Sequence, residues 1–452
     1  MHFVRPDPRG DRQRCAALEV LGAALDAVAP GAALRRTIQR DGETLRVAGR
    51  SYDLRHFRRV LVVGAGKAAA PMAQAVEEVL GDRISSGAVT VKYGYTAPTA
   101  QVMLREAGHP VPDAAGVAGT RAMIALLEQT GPDDLVLCLI SGGGSALMPL
   151  PVPGVTLEEL QTLTTALLRS GAPIQALNAV RKHLSQVSGG QLARLAYPAT
   201  VLTLIVSDVV GSPLDVIASG PTVADTSTFQ DAWDVLARYG VLDQAPASIR
   251  QHLERGLAGQ VAETVKPGDP ALERVHNVIV ADNALAAEAA AARARALGFD
   301  TLLLSTFVEG EAREVGRVLA ALAREVAAHG RPVMAPACLL LGGETTVTVR
   351  GEGKGGRNQE LVLASALAIQ GTRGILIASL ATDGTDGPTD AAGGLVDGET
   401  VMRGEAAGRS VFEALADNDA YAFLDGAGDL LMTGPTNTNV NDLMAVFVGV
   451  PG

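Results

Sequence analysis

The sequence predicts an α/β protein of two domains, each built on a largely parallel sheet, and three observations carry that prediction. Apolar runs of strand length, such as Val60-Leu61-Val62-Val63 and Leu135-Val136-Leu137-Cys138-Leu139-Ile140, lack polar alternation, as strands buried on both faces do. Glycine turns close these runs, and alanine-rich helical patterns recur after such turns. The 452 residues exceed what one hydrophobic core usually spans.

Composition narrows the function. Aromatic residues make up only 3% of the chain and its net charge is -11, so a nucleic-acid partner is not expected. No apolar run approaches about 18 residues without a charge, so no membrane span is expected. Glu19 and Asp26 interrupt the apolar N-terminal segment where a signal peptide would stay apolar. Cys15, Cys138 and Cys338 lie far apart and form no disulfide or metal framework. A cytoplasmic enzyme or regulator acting on small molecules fits best.

In chain order, residues 15–40 read as a helix broken near Pro30-Gly31. The strand at 59–63 opens into Gly64-Ala65-Gly66-Lys67 and a helix through Leu80. The spacing of Gly64, Gly66 and Ala69 fits a relaxed dinucleotide fingerprint and makes the first domain Rossmann-like. However, the next strand ends in Lys92, where an acid would hold a ribose. His109, in the stiff turn His109-Pro110-Val111-Pro112-Asp113, reads as structural. Ser141-Gly142-Gly143-Gly144-Ser145, after the second apolar strand, suits a cradle of hydroxyl and N–H groups for phosphate. Its alternative is close packing of strand on helix.

Arg181 and Lys182 fit a phosphate contact or a solvated helix face equally well. Asp208 follows the strand at 201–206, a standard site position, where it would ligate Mg²⁺, accept a proton or cap a turn. The polar, proline-bearing stretch 261–270 sets the predicted domains at 1–265 and 266–452. Asn277–Ala281 then opens a second βαβ series, with helices at 283–297 and 311–328 around a strand at 301–305.

The stretch on which the reading centres is Leu341–Glu360, LGGETTVTVRGEGKGGRNQE, in which six residues are Gly. It puts Glu344, Lys354 and Arg357 on a loop between a strand and a helix. The prediction is anion binding by backbone N–H groups and by Arg357 at the helix start. The alternative is a hairpin turn with solvated charges. A strand at 374–381 leads to Asp383, Asp386 and Asp390. An EF-hand is excluded because Gly394 stands where its final Glu belongs, whereas Mg²⁺ needs only one or two of these acids. Asn437 lies in an amide- and hydroxyl-rich segment, 433–442, which reads as a ligand contact or a capped turn before a closing strand at 443–448.

Taken in order, VVGAGKAAAPMA, GHPVPD, LISGGGSALM, LNAVRKHLSQVSGG, IVSDVVGSPLDVIASGPT, LLGGETTVTVRGEGKGGRNQE, ATDGTDGPTDAAG and TGPTNTNVNDL resemble the class II glycerate kinases. The C-terminal half of those enzymes is the MOFRL domain. The resemblance implies ATP-dependent phosphorylation of D-glycerate to 2-phosphoglycerate, with Mg²⁺ required and an interdomain cleft. Lys67 and Arg357 match the lysine and arginine on which that family relies, and they are expected to converge on the γ-phosphate and the glycerate carboxylate. Asp208 or Asp383 would hold Mg²⁺ or take the proton, with Glu344 and Asp386 as second choices. Two rival readings stand: an NAD(P)-dependent hydroxypyruvate reductase, and a non-catalytic sensor of sugar acids or nucleotides. Oligomeric state, a homo-oligomer included, is left open.

Overall fold

A computed structural model of the chain describes residue 3 and residues 11–451. One compact unit is Pro30–Val280; the other joins helix α1 (Arg12–Val28) to the residues from Ala281 onward. Among the described residues, the first unit has a small antiparallel sheet spanning residues 38–53 and a six-stranded sheet. The larger sheet consists of β1 (Arg59–Ala65), β2 (Ile84–Lys92), β3 (Val102–Ala107), β4 (Asp134–Ile140), β5 (Thr200–Val206) and β6 (Val275–Ala281), in the order β3-β2-β1-β4-β5-β6. Strand β1 runs parallel to β2 and β4, β2 to β3, and β4 to β5. Between β1 and β4 the winding reverses. In open α/β sheets ligand crevices form at such a point, beyond the carboxyl ends of the strands.

Apolar patterning explains the build. Every residue of β4 and β5 is buried. Leu61, Val63, Val136, Cys138 and Ile140 share a core with Met123 and Leu127 of a helix at Ala114–Leu127. Helix α2 (Ala69–Leu80), which follows β1, buries Met72, Ala73 and Val76. This unit therefore presents the β1 and β4 turns from a rigid base.

The second unit carries, among the described residues, six strands: β7 (Asp300–Glu311), β8 (Ala337–Thr346), β9 (Ile375–Ala381), β10 (Gly393–Asp397), β11 (Leu430–Leu431) and β12 (Asp442–Val448). Their order is β7-β8-β12-β9-β10-β11. A largely parallel sheet was expected here, but only β7 and β8 pair in parallel, and the other four pairings are antiparallel. The closing strand β12 slots between β8 and β9, antiparallel to both, so it separates two strands that still run the same way. The loop from β9 to β10 is too short for a crossover helix and returns as an antiparallel pair.

The predicted break at 265/266 also differs from the structure. Residues 266–280 do not open the second unit; β6 lies beside β5, with Val201 N donating to Arg274 O at 2.9 Å. At the other end, α1 buries Val20, Leu21 and Leu25, and its Arg14 reaches Asp429 at 3.0 Å and Leu395 O at 2.9 Å. Unit membership follows buried surface rather than chain position. Among the described residues no single helix is long and apolar enough to cross a membrane.

Candidate active site

At the reversal point β1 and β4 end side by side. Gly66 has φ 148°, and a Cβ there would overlap Ser141, so only glycine allows the two turns to touch. Lys67 N donates to Gly142 O at 2.9 Å, Ser141 N to Ala65 O at 3.2 Å, and Ala68 N to Ser141 Oγ at 2.9 Å. These bonds fix Gly64, Gly66 and residues 141–145 as one double turn. Ser141 is thus committed to the turn itself.

What the double turn leaves open is informative. Among the described residues, the N–H groups of Gly142 and Gly143 meet no acceptor, and the Lys67 amine has no ion-pair or hydrogen-bond partner. A Cβ on Gly143 would come 2.8 Å from His109 Cδ2 and 3.5 Å from Lys67 Cγ, so His109 and Lys67 flank the glycine loop. Burial, with the charges of Lys67 and Lys92 behind it, pulls the His109 imidazole down to about 4. The Asp208 carboxylate packs against Gly142, and the Ala218 side chain against Gly144. Ala218 and Ser219 hold left-handed backbone, φ 49° and 59°, a costly conformation that concentrates at functional turns. Unpaired amine, N–H groups and a neutral imidazole make an electropositive concavity with one carboxylate on its rim.

A cavity of about 450 Å³ adjoins this turn, sharing His109, Gly143 and Ser145 with it. Arg181 lines the cavity and, among the described residues, pairs with no carboxylate; burial alone lowers its pKa. Lys182 departs from the expectation of a ligand contact. It is 5% exposed, with its amine 3.2 Å from buried Asp225, because the next helical position turns inward.

In the second unit, Arg357 opens helix α3 (Arg357–Ala368). Its Nε donates to Asp442 Oδ2 at 2.5 Å, its Nη2 to Asp442 Oδ1 at 3.0 Å, and its Nη1 to Glu344 Oε1 at 2.7 Å. Three of five N–H groups are engaged, and two remain for a ligand. Burial pushes the Asp442 carboxyl up, to about 7, against the pull of Arg357. Glu344 also accepts from Asn441 Nδ2 at 3.3 Å.

The glycine loop between β8 and α3 does not do what its composition predicts. The N–H groups of Arg350 and Gly351 donate to Asn418 Oδ1, those of Glu352 and Gly353 to Asp417, and that of Lys354 to Asp419. These groups are taken up by the carboxylate, amide and carbonyl oxygens of the chain's own 417–419 turn, and the glycines admit that turn's close approach. Asp386, expected to contact substrate, is 2% exposed and accepts from Asn358 N at 3.2 Å and Gln359 N at 2.8 Å, so it caps α3 instead. Asp383 accepts from Thr385 N at 3.0 Å in a local turn, and Asn437 is exposed with φ 59°. Among the described residues no group of three or more His, Cys, Asp or Glu gathers as a metal site. Site residues that the sequence reading missed are His109, Ser185, Ser188 and Ser219; only the stiff proline turn around His109 gave a signal.

Two family models match the chain: one described as a domain of unknown function, DUF4147, over residues 16–254, and the MOFRL family over residues 337–442. The chain is 42% identical over 432 residues to the glycerate 2-kinase of Pyrococcus horikoshii, covering 95% of this chain and 96% of that protein. It is 46% identical over 393 residues to a putative hydroxypyruvate reductase of Agrobacterium vitis, covering 86% and 87%. The crystal structure of a glycerate kinase from Thermotoga maritima superposes with a TM-score of 0.87 at 43% identity, covering 96% of this chain and 99% of that one.

Proposed function

We propose a reaction from one premise: the chain belongs to the glycerate kinase family, sharing 42% identity across 96% of the Pyrococcus protein. It transfers the γ-phosphoryl group of ATP to the 2-hydroxyl of D-glycerate, giving 2-phosphoglycerate and ADP. The observation that supports this reading is the unpaired Lys67 amine beside the open N–H groups of Gly142 and Gly143 at the sheet's reversal point. Phosphoryl transfer depends mainly on positioning and on neutralising charge spread over the transferred oxygens. The N–H groups fix phosphate oxygens, and the amine takes up the charge that develops on the transferred group. His109, neutral in its buried setting, leaves that positive potential to Lys67 and donates or accepts a hydrogen bond without adding a charge.

Asp208, packed against Gly142, is placed to accept the 2-hydroxyl proton or to offer carboxylate oxygen to Mg²⁺. The ion is commonly held by one or two carboxylates with substrate phosphates and water, so a single carboxylate beside a phosphate cradle fits it. When bound, it would neutralise part of the phosphate charge. Asp383, which accepts from Thr385 N within its own turn, is the second candidate. Arg357, in the second unit, keeps two N–H groups for an anionic ligand, and its substitution is expected to lower turnover. A cytoplasmic setting remains part of this reading, supported by three unbridged cysteines.

The reductase name of the Agrobacterium protein raises a second reading, which the site disfavours. A nicotinamide site of this kind needs an acid at the end of β2 for the ribose, and Lys92 stands there. The experiment that separates the two supplies ATP, Mg²⁺ and D-glycerate in one vessel, and hydroxypyruvate with reduced nicotinamide in another. The kinase reading expects 2-phosphoglycerate in the first and no nicotinamide oxidation in the second. The reverse outcome overturns it.

A further inference from the structure

The cavity beside the double turn is mismatched to D-glycerate. It holds about 450 Å³, within the range of sites that take drug-sized ligands, whereas a three-carbon acid would leave most of it to water. Its wall is apolar: Val111, Met148, Leu160 and Leu168 line it, with Val111 and Leu168 left 64% and 57% exposed. Such a surface gains little from a ligand made of one carboxylate and two hydroxyls. Against it stands a concentrated polar side. Arg181 contributes a guanidinium with no carboxylate partner among the described residues, and Ser145, Ser185, Ser188 and Ser219 supply hydroxyls.

Two further details mark the polar side as built for a ligand. Ser145 and Ser219 lie 2.8 Å apart and continue to Asn178 at 3.2 Å; Asn178 is 4% exposed, and its Nδ2 meets no acceptor among the described residues. A half-buried guanidinium left without a carboxylate is costly unless a ligand completes it, and the buried Asn178 holds the serine pair in place behind the cavity wall. In addition, the cavity shares His109 and Gly143 with the Lys67 turn, so an occupant's polar end reaches the phosphate cradle directly.

We propose that this cavity, formed by residues of the first unit, holds the nucleoside of the phosphoryl donor, with Arg181 on a non-transferred phosphate. The base lies against the Val111 and Leu168 wall, and the phosphate chain runs past Arg181 and the serines towards Lys67. This assignment rests on the kinase reading for the identity of the donor. Arg181 discriminates nucleotide from nucleoside, while the apolar wall binds both.

Titration calorimetry on the full-length protein tests this, with ADP, adenosine and D-glycerate as separate probes. Arg181→Gln should weaken ADP by at least about tenfold, the loss of one charge-assisted hydrogen-bonded contact, and leave adenosine unchanged. Leu168→Glu, at an exposed position, should weaken both ADP and adenosine. Neither should move D-glycerate affinity. Wild-type ADP affinity in both variants overturns the assignment, and so does a loss confined to D-glycerate. Failure here is distinct from failure of the kinase reading. If phosphoglycerate forms but the variants bind ADP normally, the cavity assignment falls alone; if none forms while ADP binding still depends on Arg181, the cavity stands as a nucleotide site.

Discussion

Replacing Arg357 with methionine separates structure from catalysis in a way the geometry makes quantitative. Asp442, 0% exposed, accepts two hydrogen bonds from Arg357, at 2.5 and 3.0 Å. In Arg357→Met that carboxylate stays buried with its counter-charge gone, which costs about 3–5 kcal/mol. Removing the charge as well, in Arg357→Met/Asp442→Asn, should recover about 2 kcal/mol or more of that loss. The sign of the pH dependence follows. A carboxyl whose folded pKa lies above its unfolded value weakens the fold as pH rises from the unfolded value through the folded one. Asp442 is already pushed up to about 7, and without Arg357 it goes higher. The single variant should therefore lose more stability at mildly alkaline than at mildly acidic pH, and the double variant should lose that dependence. Urea unfolding of the wild type and the two variants at both pH values reads this directly. A single variant as stable as wild type under alkaline conditions would refute the buried-pair reasoning. Activity should stay low in both variants if the guanidinium acts on the transferred phosphoryl group.

Three other outcomes follow from the site. His109, held near 4 by burial and by Lys67 and Lys92, should remain neutral in mildly acidic solution, and bound ADP should raise its pKa by offsetting the lysine charge; NMR titration of the ring protons, with and without ADP, shows either result. Because the unfolded imidazole titrates about 6.5, stability contributed by neutral His109 is complete above that value and declines as pH falls towards about 4, as acid unfolding curves of wild type and His109→Gln compared should reveal. Asn418→Ala releases the N–H groups of Arg350 and Gly351, so it should cost about 1–3 kcal/mol of stability while the Michaelis constants stay near wild type. A rise in the constant for ATP without a stability loss would return the glycine loop to the role its composition predicts.

The strands and their glycine turns were legible because their signal is local: an apolar run, then a residue that tolerates positive φ. So was the placing of Lys67, Gly142 and Asp208 at strand ends, where doubly wound sheets carry their ligands. The loop at 350–354 was misread because its partners, Asp417, Asn418 and Asp419, lie far along the chain, and composition cannot distinguish a ligand from a distant turn. Arg181 and Lys182 looked equivalent as neighbours, yet one helical step sends the first to a cavity and the second to Asp225. The mixed second sheet escaped for a similar reason. Nothing within β12 announces that it will enter between β8 and β9.

In the proposed reaction an unpaired amine at the reversal point of the first sheet drives the transfer. The most direct test is the rate of 2-phosphoglycerate formation by Lys67→Met at saturating ATP, Mg²⁺ and D-glycerate, read beside the variant's urea midpoint. The amine has no partner among the described residues, so stability should stay within about 0.5 kcal/mol of wild type. The rate should fall by about 10³-fold, equivalent to about 4 kcal/mol of barrier. A correctly folded Lys67→Met protein that turns over near the wild-type rate would contradict the account.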